Sequence, residues 1–386
     1  MSTVAVIGAG HVGCALAFDL VNRGHKVTLR WMPGHPGNSP IINNNGNVLE
    51  CCGMMQGRQP IGIVEGVSDV ASNTQSVIIV AVPSQGHDDV LAALANRDLH
   101  NVVVVFITGN AVSVKALQIL NAKAVFDTAT SPYSSRVDPN GRVVIRGFKK
   151  RLQIGPAAPD FTTKDRIQIG ELFNVPLEWS SKRLETFFSG VNGVVHVPAA
   201  LLNLGWIEST GGDFFFYRQG MSSSVCRIIE AADRERLAVA KAYGCQVSSV
   251  LDTYNQNYGS RERTFRDFAN STQAHNQTKG AQKRFLSQDV PYWLVLCSDF
   301  GKKAKVPTPV IDMLVLMTSV LHDMDYSLTG RTIASLGLKG ASLEKITMVS
   351  GAGHCEEVLF KDLRSRSVSK LQLSKLVWHF YRRLLS

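Results

Sequence analysis

The stretch "TVAVIGAGHVGCALAFDL", residues 3–20, decides the fold. Five β-branched or small residues run into Gly8, Gly10 and Gly13 in G-x-G-x-x-G spacing, and an apolar helical pattern containing Ala17 follows. Each glycine answers a separate steric need. Gly8 allows a tight turn, Gly10 lets backbone approach a pyrophosphate, and Gly13 lets helix pack on strand. The helix N-terminus then offers N–H groups and a positive dipole end to an anion. A glycine triplet alone says little; between a first strand and a first helix it predicts a Rossmann-type dinucleotide-binding unit. Gly8, Gly10, His11, Val12 and Gly13 form the expected cradle.

The alternation continues through the first half. "KVTLR" (26–30), "SVIIVAVP" (76–83), "NVVVVFIT" (101–108) and "AKAVFDT" (122–128) are strand candidates, apolar on both faces, which predicts a parallel sheet covered by helices. "VVIRGFKKRLQIGPAAP" (143–159) reads as an antiparallel ribbon with a basic turn, an edge of the same sheet. From about residue 185 the pattern turns helical. "SSSVCRIIEAADRERLAVAKAYG" (222–244) has a serine N-cap and Gly244 as its stop, and the nearly all-apolar "VPTPVIDMLVLMTSVLHDM" (306–324) predicts a buried helix. The expected architecture is an α/β Rossmann-type N-terminal domain, residues 1–185. A mostly α-helical C-terminal domain with a basic extension, residues 186–386, completes it, with a cleft between the two.

The bulk numbers exclude more than they assign. A chain of 386 residues suits two domains. No apolar run reaches membrane-spanning length, and "MSTVAVIGAG" has neither a basic n-region nor a cleavage site, so a cytoplasmic protein without a membrane partner is expected. The seven cysteines are odd in number and form no CxxC pair, and no His/Cys/Asp cluster has ligand spacing, so no metal is expected. The formal charge of +10 comes without a zinc-finger spacing, an aromatic RNP pattern or a Lys/Arg block, which argues against nucleic acid. An anionic cofactor and a carboxylate substrate account for the positive field equally well.

An NAD-preferring site carries an acidic residue at the end of the second strand. Here that position is Arg30, and no Asp or Glu occurs from Leu20 through Leu49. A guanidinium pairs with a 2′-phosphate where a carboxylate would repel it, which predicts NADP(H), with NAD(H) as the alternative. Strand C-termini are where such sheets bind ligands. That rule brings Val82 and Pro83 to the cofactor edge and turns Asn110, Thr130 and Arg136 toward the cleft.

"FFSGVNGVVHVPAALLNLGWIEST" (187–210) contributes a lone imidazole, His196, ahead of Pro198. With Pro198 in a first helical turn, His196 precedes a helix N-terminus, where the dipole disfavours imidazolium. Packing, metal ligation and proton transfer all remain open on these residues alone.

Three segments in order resolve the choice by likeness. "NGVVHVPAALLNLGWIE" (192–208), "RFLSQDVPYWLVLCSDFGKKAKVPTP" (284–309) and "TSPYSSR" (130–136) resemble the opine dehydrogenase family, which includes octopine and N-(1-carboxyethyl)norvaline dehydrogenases. The likeness runs over roughly residues 3–345. It implies reduction of the imine formed between an α-keto acid, pyruvate first among candidates, and the amine of an amino acid. Matched residue by residue, His196 is the catalytic histidine, Asp289 its carboxylate partner and Arg284 a substrate-carboxylate arginine. Asn110 and Thr130 fall where the family contacts the keto acid. Three departures stand out: Val197 between histidine and proline, Gln288 in place of a glutamate, and Trp293 in place of a glycine. The rival readings are a ketopantoate or β-hydroxyacid-type reductase, for which Lys241 is the available lysine, and a non-catalytic NADP-binding interaction protein. The basic tail (355–386), with Leu371, Trp378, Tyr381 and Leu385 near one helical stripe, is expected to dock on its own domain, and a homodimer is the assembly considered.

Overall fold

The computed structural model describes residues 1–156, 161–280 and 284–351. Its strands are β1 (Thr3–Ile7), β2 (Lys26–Trp31), β3 (Val48–Gly53), β4 (Gly57–Pro60), β5 (Gly62–Glu65), β6 (Val77–Val80), β7 (Leu99–Phe106), β8 (Ala122–Asp127), β9 (Tyr133–Val137), β10 (Val143–Phe148), β11 (Leu152–Ile154) and β12 (Leu177–Trp179). Six of them form a parallel sheet in the order β5-β2-β1-β6-β7-β8. The pleat explains why β1 is apolar throughout. Val4 and Val6 join a core with Leu16 and Phe18 of helix α1 (His11–Asn22). Ala5 and Ile7 join the opposite core, with Val90, Leu91 and Leu94 of helix His87–Leu94. Both faces are covered, as a sheet without solvent-facing side chains requires.

A second sheet, β4-β3-β10-β9, lies over the outer side of α1. It explains why every residue of α1 from Gly13 to Leu20 is buried. Asp19 inside that helix is satisfied by Arg23 and by the hydroxyl of Tyr133. The basic ribbon expected over 143–159 is not a hairpin. β10 pairs antiparallel with β9 and parallel with β3, whereas β11 pairs parallel with β12 in a separate two-stranded sheet. Its two halves have different strand partners, while Val143, Ile145, Leu152 and Ile154 all bury in the core that includes Leu16 and Phe18 of α1.

Helices follow from Arg183. The longest, Ser223–Ala242, starts where the Ser222 side chain accepts from the Val225 N–H and stops before Gly244, whose φ of 62° few other residues tolerate. Helix Pro309–Leu321 corrects the expectation of full burial. Ile311, Leu314, Val315 and Thr318 face the core, while Leu316 and Val320 are 65% and 73% exposed, beside exposed Met313, Met317 and Leu321. The tail expectation concerns residues outside those described.

Two sequence-predicted cofactor residues act through packing. A Cβ on Gly13 would sit 1.7 Å from the Gly8 carbonyl oxygen, and one on Gly8 2.6 Å from the Ala81 oxygen. A Cβ on Gly10, by contrast, meets nothing within 4 Å. Gly13→Ala is therefore expected to lower folding stability by about 2 kcal/mol or more through overpacking. Gly10→Ala should keep the parent melting temperature yet weaken dinucleotide binding. Thermal unfolding with a dinucleotide titration checks the pair; equal melting losses in both variants would contradict it.

Candidate functional site

A cleft of about 350 Å³ lies between the strand ends of the parallel sheet and the helices. Gly10, His11, Val12, Val82 and Pro83 line it, with Asn110 and Thr130 from the sheet side and His196, Arg284 and Asp289 from the helical side. Gly10 is the N-cap of α1 and makes no side-chain cap to the helix's first N–H groups. That opening, the space beside Gly10 and the steric fit of Gly8 and Gly13 suit a pyrophosphate. His11 begins the helix; its Nδ1 accepts the Val137 N–H at 2.9 Å, and burial, with Arg136 and Arg284 nearby, lowers its pKa to about 4.

Arg30 departs from its expected role. Its guanidinium grips Asp69 through two bonds of 2.6 and 2.8 Å and donates to the Gly66 carbonyl at 3.1 Å. It is 2% exposed and lies outside the cleft. It ties the end of β2 to the loop after β5.

His196 and Asp289 meet across 93 positions of sequence, Nδ1 to Oδ2 at 2.9 Å. Helix Asn192–Leu201 carries the histidine. Pro198 lies inside that helix rather than at its start, so the dipole at a helix N-terminus does not act on His196. Burial is what lowers the imidazole pKa, and Asp289 opposes it. The ring stacks on Phe285 at 4.1 Å between centroids, which fixes its plane. Asp289 precedes a π-helical turn, Val290–Leu294, that accommodates Pro291 between helices Arg284–Ser287 and Val295–Ala304. Such widened turns recur at functional sites because they re-aim side chains. Asp289 is the ring's only polar side-chain partner among the described residues, so Nε2 is left for the cleft.

The sheet side of the cleft is built on strain. Thr108, Asn110 and Ala111 all have positive φ, and Gly109 packs so close to Asp127 that a Cβ would meet Oδ1 at 1.9 Å. Asn110 donates to Ser84 Oγ at 3.0 Å. Arg331, from the far end of the helical half, clamps this turn by donating to the carbonyls of Gly109 and Asn110, both at 2.9 Å. Sequence reasoning missed Arg331, for nothing near it in the chain marks it. It also missed the aromatic wall of Tyr217, Tyr254, Tyr258 and His275, in which His275 stacks on Tyr217 and meets the Tyr258 hydroxyl at 2.8 Å. Trp293 packs in the core on Phe187 and Gly193, outside the cleft, whereas Gln288 lines it. Lys241, the lysine of the reductase rival, is exposed in the last turn of its helix and does not line the cleft.

Two family models match the two halves. Residues 4–159 match ketopantoate reductase PanE/ApbA, and residues 179–322 match the NAD/NADP octopine/nopaline dehydrogenase alpha-helical domain. The "Protein ocs" of Agrobacterium tumefaciens (strain Ach5) is 28% identical over 354 residues, covering 90% of this chain and 98% of its own. The opine dehydrogenase of Arthrobacter sp. (strain 1C) is 28% identical over 349 residues, covering 88% and 96%. The chain resembles the opine dehydrogenases over about nine-tenths of its length, and its helical half matches their alpha-helical domain. It is an NAD(P)-dependent oxidoreductase. Octopine dehydrogenase in complex with NADH and agmatine shares the fold, with a TM-score of 0.71 at 17% identity, covering 90% of this chain and 98% of that one.

Two outcomes follow from the site's construction. Arg331→Met should cost about 2–4 kcal/mol in urea unfolding, since it takes a charged donor from both carbonyls of the strained turn, of which only that of Gly109 keeps a partner among the described residues, the Val112 N–H; an unchanged midpoint would contradict the clamp. The depressed imidazoles act on acid stability. His11 at about 4 and His275 at about 3 stay neutral in the native state while their unfolded counterparts protonate near 6.5. The unfolded chain then binds more protons, so stability falls as pH drops from about 6.5 toward 4. His275→Gln should flatten that fall, as denaturation midpoints against pH would reveal.

Proposed function

We propose that this protein is an NADPH-dependent opine dehydrogenase that condenses an α-keto acid, pyruvate first among candidates, with the amine of an amino acid. The observation that carries the reading is the His196–Asp289 pair, whose free imidazole nitrogen borders the same cleft as the glycine cradle. A bound dihydronicotinamide supplies hydride to the imine carbon. In this reading the chain's own groups handle charge and protons. Neutral His196 takes a proton from the incoming ammonium through Nε2, and Asp289 accepts from Nδ1–H and supports the imidazolium that forms. Returning that proton lets the carbinolamine oxygen depart as water. Arg284 holds a substrate carboxylate, Asn110 and Thr130 orient the keto acid, and the Phe285 ring keeps the imidazole in plane.

With Arg30 committed to Asp69, the preference for NADPH rests on the missing carboxylate between Leu20 and Leu49. Without that acid the ribose hydroxyls of NADH lack their usual anchor. Comparing kcat/KM for the two cofactors tests it: several-fold higher efficiency with NADPH is expected, and parity or better with NADH overturns the preference. A cytoplasmic location goes with the unpaired cysteines among the described residues. A homodimer is part of the proposal, with the apolar stripe of helix Pro309–Leu321 as its contact.

His196→Asn should lower kcat by about 10²-fold or more while dinucleotide affinity stays within twofold. Asp289→Asn should lower it by a smaller factor, because the tautomer is lost but the base remains. Rapid-mixing kinetics check both, and full activity in His196→Asn would remove the imidazole from the mechanism.

A further inference from the structure

The cleft is lined by four cationic side chains, Arg136, Arg146, Lys149 and Arg284, against a single carboxylate, Asp289, among its described lining residues. Asp289 is already engaged by His196. None of the four cations forms an ion pair with an Asp or Glu among the described residues. Arg136 donates to the Ser135 carbonyl at 2.9 Å, Lys149 to Thr130 Oγ1 at 2.6 Å, and Arg284 lies 5.1 Å from the Phe285 ring.

Arg146 and Lys149 reach the cleft by construction. The register of β10 on β9 slips between Ile145 and Gly147, so Arg146 is the extra residue of a β-bulge. Bulges re-aim side chains next to sites. Beyond it Lys149 extends between Thr130 and Tyr258, its ammonium 6.0 Å from the phenol ring. Burial brings that ammonium down to about 7, the mark of a cation lacking an anion. His11, His196 and His275 each feel Arg136 as a repelling charge, so three separate walls report one positive field.

The ligands already argued do not use up these charges. Arg136 stands beside His11 at the dinucleotide end, and Arg284 suits one α-carboxylate. The second α-carboxylate takes one of the remaining two cations and leaves the other unmatched. An arginine or lysine side chain would meet no free carboxylate and would face like charge.

Resting on the opine dehydrogenase reading, we infer that the condensing pair carries three carboxylates and no second cation, the third being received by Lys149 while Arg146 takes the second α-carboxylate. That carboxylate sits on the side chain of an acidic amino acid or on a dicarboxylic keto acid. The α-carboxylates, the amine and the ketone are unchanged by it, so the reaction is the one proposed above.

The test uses the full-length chain and amine-dependent NADPH consumption with four pairs: pyruvate with alanine, pyruvate with glutamate, 2-oxoglutarate with alanine, and pyruvate with arginine. One three-carboxylate pair should exceed pyruvate with alanine by about tenfold or more in kcat/KM, as a charge-assisted contact supplies. The glutamate arm and the 2-oxoglutarate arm tell which partner bears the extra group. Lys149→Met should reduce that ratio about tenfold, and an unchanged ratio would overturn the role of Lys149. If alanine or arginine with pyruvate is the best pair, the charge class is wrong while the dehydrogenase reading survives. If no pair gives amine-dependent consumption, that reading fails and takes the inference with it.

Discussion

The site depends on one contact that the chain makes across its helical half: the 2.9 Å bond from the His196 ring to Asp289. Everything around it serves to keep an imidazole buried, neutral and oriented. Phe285 stacks on one face of the ring, helix Asn192–Leu201 sets its height, and the π-helical turn after Asp289 brings the carboxylate to Nδ1. Burial works against protonation and the carboxylate works for it, and burial wins in the resting state. In the proposed reaction the proton comes from the substrate ammonium, and Asp289 supports it on the ring.

The opposing wall is rigid for a different reason. Three positive-φ residues that are not glycine, Thr108, Asn110 and Ala111, form a turn that is costly in isolation. Arg331 and the buried Asp127 hold it, the first by its carbonyls and the second through the Ser113 N–H and hydroxyl. Because Arg331 belongs to the helical half, the same hydrogen bonds that fix the turn also tie the two halves together at the cleft. The positive charges in the cleft are held in the same way, by strand geometry and aromatic walls rather than by carboxylate partners.

Much of this was legible beforehand because it is local. The strands of the main sheet announce themselves by β-branched runs, and the glycine spacing follows from backbone contacts of a few ångströms. The histidine and its partner were named by likeness to a family, not by spacing, since no local pattern reports a contact 93 residues long. What failed was side-chain direction. Arg30 has the right position on β2 and points to Asp69 instead; Pro198, read as a helix start, lies inside the helix. The second sheet was missed because β3, β4 and β9 are short and polar in part, stabilised by α1 beneath them rather than by their own pattern. The exposed stripe on Pro309–Leu321 has the same composition as a buried helix, and composition does not distinguish them.

Where the His196 proton resides before substrate arrives decides whether the ring can act as a base. Nitrogen-15 NMR of the histidine-labelled protein, with His196 assigned through its Asn variant, reads it directly. A neutral ring is expected at pH 7.5, with the proton on Nδ1 and a bare Nε2, titrating below the ordinary histidine range. A proton on Nε2, or an imidazolium at that pH, would contradict it.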